Sequence, residues 1–348
     1  MRTKLTLTAA MSAAALGLSA CGGPSSDTTT LTFASYGGTF ESGQVEAWQN
    51  PYMEENPAIE FANTSPSDTA IIKAQVESGN TQWDLADVSP YFAAEYCDEL
   101  VEPLELPNVD KSQYDEDLIG DCYFGAYQYS LILSYNTETW SDPSSAPTTI
   151  ADFFDTEAFP GQRGVVGDGT TGILEYGLIA DGVAVDDLYP LDIERSLGIW
   201  DKIRDHTTFA PNNGALLQAA TSGQVDMMLM VSARTKAAID EGAPFEPIWD
   251  VTASTFHTLV VPKGAPNADE AMAFIESVLT PEKSAKFAEL AGVGTTNSAA
   301  EPQLDENAMK VNAYDDSVNS GELFILDSEW WAENHTPATE EFNNWLNQ

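Results

Sequence analysis

A chain of 348 residues that carries 14 Lys plus Arg against 55 Asp plus Glu, a formal net charge of −41, would be repelled by nucleic-acid phosphates. Its 43% apolar and 10% aromatic content supplies material for packed cores, which excludes an acidic disordered tail. The charge fits either a solvated surface suited to salty surroundings or the drawing of cations into a cleft.

In chain order, Arg2 and Lys4 precede an apolar stretch, Leu5 to Leu18, and then Leu18-Ser19-Ala20-Cys21. The stretch is shorter than the roughly 20 residues that span a bilayer, so residues 1–20 read as a cleaved export signal. The four residues ending in Cys21 resemble the lipobox of bacterial lipoproteins, with Cys21 lipidated and residues 21–30 a flexible tether; an ordinary secretory peptide is the alternative. Removing residues 1–20 leaves 328, more than one compact core usually holds, so two domains are expected. Cys97 and Cys122 then remain as a pair, most simply one disulfide in an exported chain. Those two and the scattered His206, His257 and His335 lack ligand spacing, so neither a metal nor another cofactor is expected.

Leu31 to Ala34 reads as a first strand, Gly37-Gly38 as a sharp turn and Phe40 to Met53 as a helix. On that turn Ser35, Tyr36 and Thr39 would face the crevice where α/β proteins bind ligands, unless it is an ordinary strand-to-helix connection. Strand Ile59 to Asn63, helix Thr69 to Ser78 and strand Trp83 to Val88 continue the alternation, which means a doubly wound, mostly parallel sheet. Tyr91 follows the third strand, and a helix begins at Phe92. Phe124 to Asn136, apolar nearly throughout, is a long strand buried on both faces.

Ser141 to Thr148 is a linker before a helix from Ile150. Strand Gly164 to Val166 leads into Gly167-Asp168-Gly169-Thr170-Thr171-Gly172 and the helix Ile173 to Asp181. The hexad matches G-x-G-x-x-G, but no second strand ending in an acid follows about 20 residues on, so a nucleotide site is disfavoured. A loop opening on a cleft, with Asp168 and Glu175 available, fits better; Glu175 could equally be a helix-surface acid. Helices follow at Ile193 to Arg204 and Ala215 to Ser222, and strands at Val225 to Val231, Phe245 to Trp249 and Thr258 to Val261. Helices Asp269 to Leu279 and Pro281 to Ala291 should turn Met272, Ile275, Val278, Phe287 and Leu290 inward. Leu323 to Asp327 and a terminal helix, Pro337 to Leu346, complete the chain.

No G-x-S-x-G, H-E-x-x-H or G-x-x-x-x-G-K-[ST] is present, so no enzyme is expected. The ordered segments are Tyr36-Gly37-Gly38, Trp83-Asp84-Leu85, Cys122 leading into Tyr129 to Asn136, Phe159-Pro160-Gly161-Gln162-Arg163-Gly164, Ala180-Asp181-Gly182-Val183, Val261-Pro262-Lys263-Gly264-Ala265-Pro266-Asn267 and Trp330-Trp331-Ala332-Glu333-Asn334. In that order they resemble the substrate-binding lipoproteins of ATP-driven (ABC) importers, the spermidine and putrescine binding family in particular. The resemblance implies a two-lobe periplasmic-binding-protein fold with a hinged cleft. Lobe 1 would hold residues 31–135 and 259–299, lobe 2 residues 136–258 and 300–348, with crossings near Tyr135-Asn136 and Thr258. It also implies a monomer outside the cytoplasmic membrane, lipid-anchored, that delivers a small solute, a polyamine first, to a permease. The alternatives are an amino acid derivative, another organic cation, or a sensor that signals to a protein partner. Implied ligand residues are Ser35, Tyr36, Tyr91, Asp168, Glu175, Ser232 and His257, with Trp249 either core or cage. Val231 and His257 stand where polyamine binders usually carry a tryptophan and an aspartate, and the usual aromatic near Gly292-Val293-Gly294 is missing, so the ligand is less defined than the role.

Overall fold

The computed structural model describes residues 28–348; the expected export signal, Cys21 and most of the expected tether lie outside the described residues, as does the Thr39 side chain. Ten strands join in one mixed sheet. They are β1 (Thr29–Ala34), β2 (Ile59–Thr64), β3 (Leu85–Val88), β4 (Gly125–Asn136), β5 (Arg163–Val166), β6 (Thr207–Ala210), β7 (Met227–Val231), β8 (Phe245–Pro247), β9 (Val251–Val260) and β10 (Glu322–Ile325). Their order is β2-β1-β3-β9-β4-β7-β5-β6, with β10 beside β9 and β8 beside β4.

β1 runs parallel to β2 and β3, and β5 parallel to β6 and β7, so each half of the molecule has the parallel group expected from strand and helix alternation. The halves do not carry separate sheets, however. β4 and β9 lie antiparallel between them and join both groups into one path. Each of these long strands changes partner along its length. β4 pairs with β9 up to Leu131 and with β7 from Leu131 to Tyr135; β9 pairs with β10 from Val251 to Ser254 and with β3 from Thr258 to Val260. The exchange in β4 therefore comes at Leu131, ahead of Tyr135.

Packing follows the same division. Leu31, Phe33, Leu85, Phe274 and Phe287 share one core, which Trp83, Val88 and Phe256 extend on the other side of the sheet. Leu133, Phe153, Leu174, Trp200, Leu229, Phe342 and Trp345 form a second core. Leu290, expected to point inward, is 37% exposed, whereas Ile275, Val278 and Phe287 are buried. Cys97 and Cys122 are joined by a disulfide, with Cα atoms 5.4 Å apart.

Three elements differ from the sequence reading for identifiable reasons. The terminal helix runs Ser328–Leu346 and takes Pro337 inside it; Asp327 caps it by accepting from Trp330 N at 2.9 Å, and buried Trp331 anchors its first turn. β9 begins at Val251 although Thr252, Ser254 and His257 interrupt any apolar pattern, because these polar side chains are buried in the joint. The unexpected helix Ser232–Asp240 packs on Ser232, Thr235 and Ala238, too small and polar to show an apolar stripe.

The Phe159 to Gly164 segment is organised by a buried arginine. Arg163 is fully buried, and its guanidinium donates to the carbonyls of Phe153 (2.9 Å), Gly161 (2.7 Å), Phe159 (2.6 Å) and Asp155 (3.3 Å). Gly161 has φ 140°, and a Cβ there would come within 2.6 Å of the Asp226 carboxylate, which accepts from Gln162 N at 2.8 Å. Arg163→Lys keeps the charge but loses the planar fork that reaches four carbonyls. It should destabilise the protein by about 2–4 kcal/mol in denaturant unfolding, since buried carbonyls lose their donors; an unchanged midpoint would contradict this account of the loop.

Candidate functional site

The end of β1 turns at Gly37, where φ is 73° and a Cβ would sit 3.0 Å from Ser65 Oγ, so a side chain would be both strained and crowded. The turn holds Ser35 beneath Tyr36. Ser35 is fully buried, and its hydroxyl donates to Gln44 Oε1. Gln44 Nε2 in turn donates to Asp87 Oδ2 at 2.8 Å.

Asp87, at the carboxyl end of β3, has no exposed surface. Its carboxylate also accepts from Tyr127 OH (3.1 and 3.0 Å) and from His257 Nδ1 at 2.8 Å. A buried carboxylate needs such partners, because desolvation without them would drive it neutral. The Asp87 bond places a proton on His257 Nδ1, so Nε2 is left as an acceptor in the neutral ring or a donor in the imidazolium. No protein atom among the described residues takes up Nε2. Tyr36, Tyr127 and Tyr129 surround the imidazole at ring distances of 5.4, 5.3 and 5.6 Å.

The second half supplies the facing wall. Asp168 is exposed on the loop after β5, where it accepts from Thr170 N (2.9 Å) and Thr170 Oγ1 (2.8 Å). His335, on the helix Ser328–Leu346, stacks on Tyr91 from the first half with centroids 4.7 Å apart and planes 20° from parallel. Burial raises the Tyr91 phenol, and the Asp168 carboxylate adds to the shift. Tyr129 is raised by burial and then by Tyr91, Asp168 and Asp87. Tyr36 is raised by burial, Asp87, Tyr129 and Tyr91, although 45% of it is open: its ring rims a recess enclosed by protein. The mouth, about 520 Å³, is lined by Tyr36, Asp68, Lys73, Tyr91, Glu95 and His335 among others.

Tyr36 and Tyr91 thus line the mouth, His257 lies against the Tyr36 ring, the Asp168 charge reaches Tyr91, and Ser35 stands behind as a support of Asp87; neither Asp168 nor His257 lines the 520 Å³ cavity itself. Ser232 lies at the head of its helix, directly after β7, 5% exposed and with its hydroxyl unpartnered among the described residues. Glu175 is elsewhere. Fully buried in the second half, it accepts from Tyr189 OH (2.7 Å) and Trp331 Nε1 (2.9 Å), and burial raises its pKa. Trp249 is not brought to the recess by any ring contact. Sequence reading missed Asp87, Gln44, Tyr127, Tyr129 and His335; the alternation of Tyr127 and Tyr129 along β4, which puts both on one face, was the available signal. Among the described residues no cluster of three or more His, Cys, Asp or Glu could hold a metal ion, and no helix is long and apolar enough to cross a membrane.

A family model described as bacterial extracellular solute-binding protein matches residues 47–313. The chain belongs to that family. It is a periplasmic-binding-protein fold serving as the solute-binding component of an ABC importer, outside the cytoplasm. It is 26% identical over 339 residues to a gamma-aminobutyric acid (GABA)-binding protein of Pseudomonas aeruginosa, covering 94% of each chain. The solved Atu4243-GABA receptor is 29% identical with TM-score 0.83, over 91% of this chain and 97% of that one. AgtB of A. tumefaciens, solved with agropinic acid, is 30% identical with TM-score 0.76, over 92% and 99%. These relatives are named for GABA and agropinic acid, so the family stands while the narrower polyamine group gains no support from them.

Burial of His335 beside Tyr91 predicts a response of stability to acid. Burial lowers the His335 pKa below its ordinary 6.5, outweighing the acids Glu95 and Asp168 that would raise it. The unfolded chain therefore binds the proton more readily, so stability present above about pH 6.5 is lost as pH falls below it. Replacing His335 with Phe, which keeps a stacking ring, should flatten the stability profile between about pH 7 and 5 in urea unfolding. A profile as steep as the wild type's would mean that another group carries the dependence.

Proposed function

We propose that this importer component captures a small amine-bearing solute, an amino acid derivative before a polyamine, in the recess between Tyr36, Tyr91, Tyr129, Asp168 and His257. The observation that carries the reading is the gathering of aromatic rings and acids: Tyr36, Tyr127 and Tyr129 surround His257, which is held on the buried Asp87 carboxylate, and the exposed Asp168 carboxylate lies near enough to Tyr91 to raise its phenol. An ammonium leaving water recovers hydration from such carboxylates and from aromatic faces. The relatives named for GABA and agropinic acid favour an amino acid derivative over a diamine. No bond is made or broken in this role. The two halves act as lobes that close on the solute about the β4 and β9 joint, since a solute touching both walls favours the closed arrangement over the open one.

Asp168→Asn should weaken GABA or putrescine, whichever binds, by about 100-fold or more, because the ammonium keeps its desolvation penalty and loses its partner. Tyr91→Phe, which keeps the ring, should change affinity by less than about tenfold. Calorimetric titration of GABA, putrescine, spermidine and a neutral and an anionic panel measures both. Tight binding of an anion alone, or indifference to Asp168→Asn, would remove the amine reading and leave the solute-binding role.

Anchoring is a separate proposal. With Cys21 lipidated, the monomer would be held at the outer face of the membrane beside its permease. Cys21→Ser should move the protein from the membrane to the soluble fraction. Full membrane retention of the variant would overturn the lipobox reading.

A further inference from the structure

The terminal helix packs on the second core, yet it meets the first half at two points. In its first turn Glu329 Oε1 accepts from Tyr123 OH at 3.1 Å. Further along, the His335 imidazole stacks on Tyr91. Tyr91 is itself wedged between the halves, packed against the second core and against the first-half cluster of Trp83, Val88 and Phe256.

The two partners in the first half are tied to each other. Tyr91 stands at the start of the short helix Pro90–Glu95, Cys97 follows that helix, and the Cys97–Cys122 disulfide joins it to the residue before Tyr123. A disulfide removes alternative arrangements of the segments it links, so Tyr91 and Tyr123 are presented to the terminal helix as one unit.

The charges that meet at His335 come from three elements. Glu95 lies on the helix that carries Tyr91, and Asp168 on the loop after β5; both acids are near enough to act on the imidazole. Asp68 and Lys73 line the same mouth with the phenols of Tyr36 and Tyr96. Lys73 is engaged with Glu77 at 3.9 Å and lies 5.5 Å from the Tyr96 ring centroid. Burial nevertheless outweighs the acids, so the sheltered ring holds its proton less readily than a free histidine.

We infer that His335 is a positioning residue that clasps the two halves through Tyr91, and that a proton taken up there opens the recess and releases the solute in acid. Parting the halves takes Tyr91 off the imidazole and lets water reach it, so the open arrangement binds the proton more readily than the closed one. The closed arrangement is therefore favoured above about pH 6.5 and loses ground as pH falls below it. The new charge also sits beside Asp168, the carboxylate proposed for the ammonium, so both effects act against a cationic solute. The clasp rests on the reading of the halves as closing lobes given above.

Small-angle scattering of the solute-free protein at about pH 7.5 and about pH 5, on either side of the histidine range, reads the clasp without any solute. The radius of gyration should grow on acidification in the wild type and stay constant in His335→Phe, which keeps a stacking ring and takes no proton. His335→Gln should lose the response as well, which keeps the test standing if the first variant folds poorly. Unchanged far-ultraviolet circular dichroism at both pH values separates opening from unfolding. In calorimetry GABA or putrescine, whichever binds, should weaken by about tenfold between the same pH values in the wild type and by less than about twofold in His335→Phe. A wild-type radius that ignores pH would overturn the clasp. So would an equal loss of affinity in wild type and variant, which would assign the dependence to another group, His257 foremost. Binding of neither amine would remove the amine reading and leave scattering to decide the clasp.

Discussion

The antiparallel pairing of β4 with β9 is the constraint on which the rest of the molecule depends. Because both strands exchange partners along their length, one continuous sheet serves two parallel groups whose cores are separate. The floor between the halves is therefore made of backbone pairing, continuous from Tyr127 to Leu131 after a shift of register between Gly125 and Tyr127. Side chains that project from this floor stand where the two groups join. Tyr127, Tyr129 and His257 are such residues, directly paired or adjacent across the two strands.

The joint also explains why a fully buried carboxylate is tolerated at the end of β3. Asp87 receives Gln44 from the first helix, Tyr127 from β4 and His257 from β9, so three elements meet on one acid. Removing any partner would leave part of a buried charge unsatisfied, so each of the three is tied to the same acid. The imidazole is oriented by the Asp87 bond at Nδ1, with the rings of Tyr36, Tyr127 and Tyr129 around it.

Much of this architecture was legible in the chain, and the failures have physical causes. The strand and helix alternation, the long β4 and the turn at Gly37 follow from glycine placement and apolar runs. The helix Ser232–Asp240 and the first part of β9 do not, because both pack through small or polar side chains. Tyr36, Tyr91, Asp168 and His257 were nameable from their places at strand ends and loops, yet nothing in the sequence says that they meet. Asp87 illustrates the difficulty: one acid among 55 Asp plus Glu has no distinguishing pattern until Gln44, Tyr127 and His257 converge on it. Glu175 shows the reverse, since a helix-borne acid near a glycine-rich loop looked available and is instead enclosed by Tyr189 and Trp331.

Charge economy ties the two walls together. Eight of the Lys and Arg side chains, Lys73, Arg195, Arg204, Lys236, Lys263, Lys283, Lys286 and Lys310, are held by acids, and Arg163 is enclosed by carbonyls. A protein with this balance has acids to present to a cation and few free cations to present to an anion. Backbone dipoles do not enter that balance: a helix head offers partial positive charge without a titrating group and without attracting the surrounding carboxylates into a competing ion pair of fixed geometry.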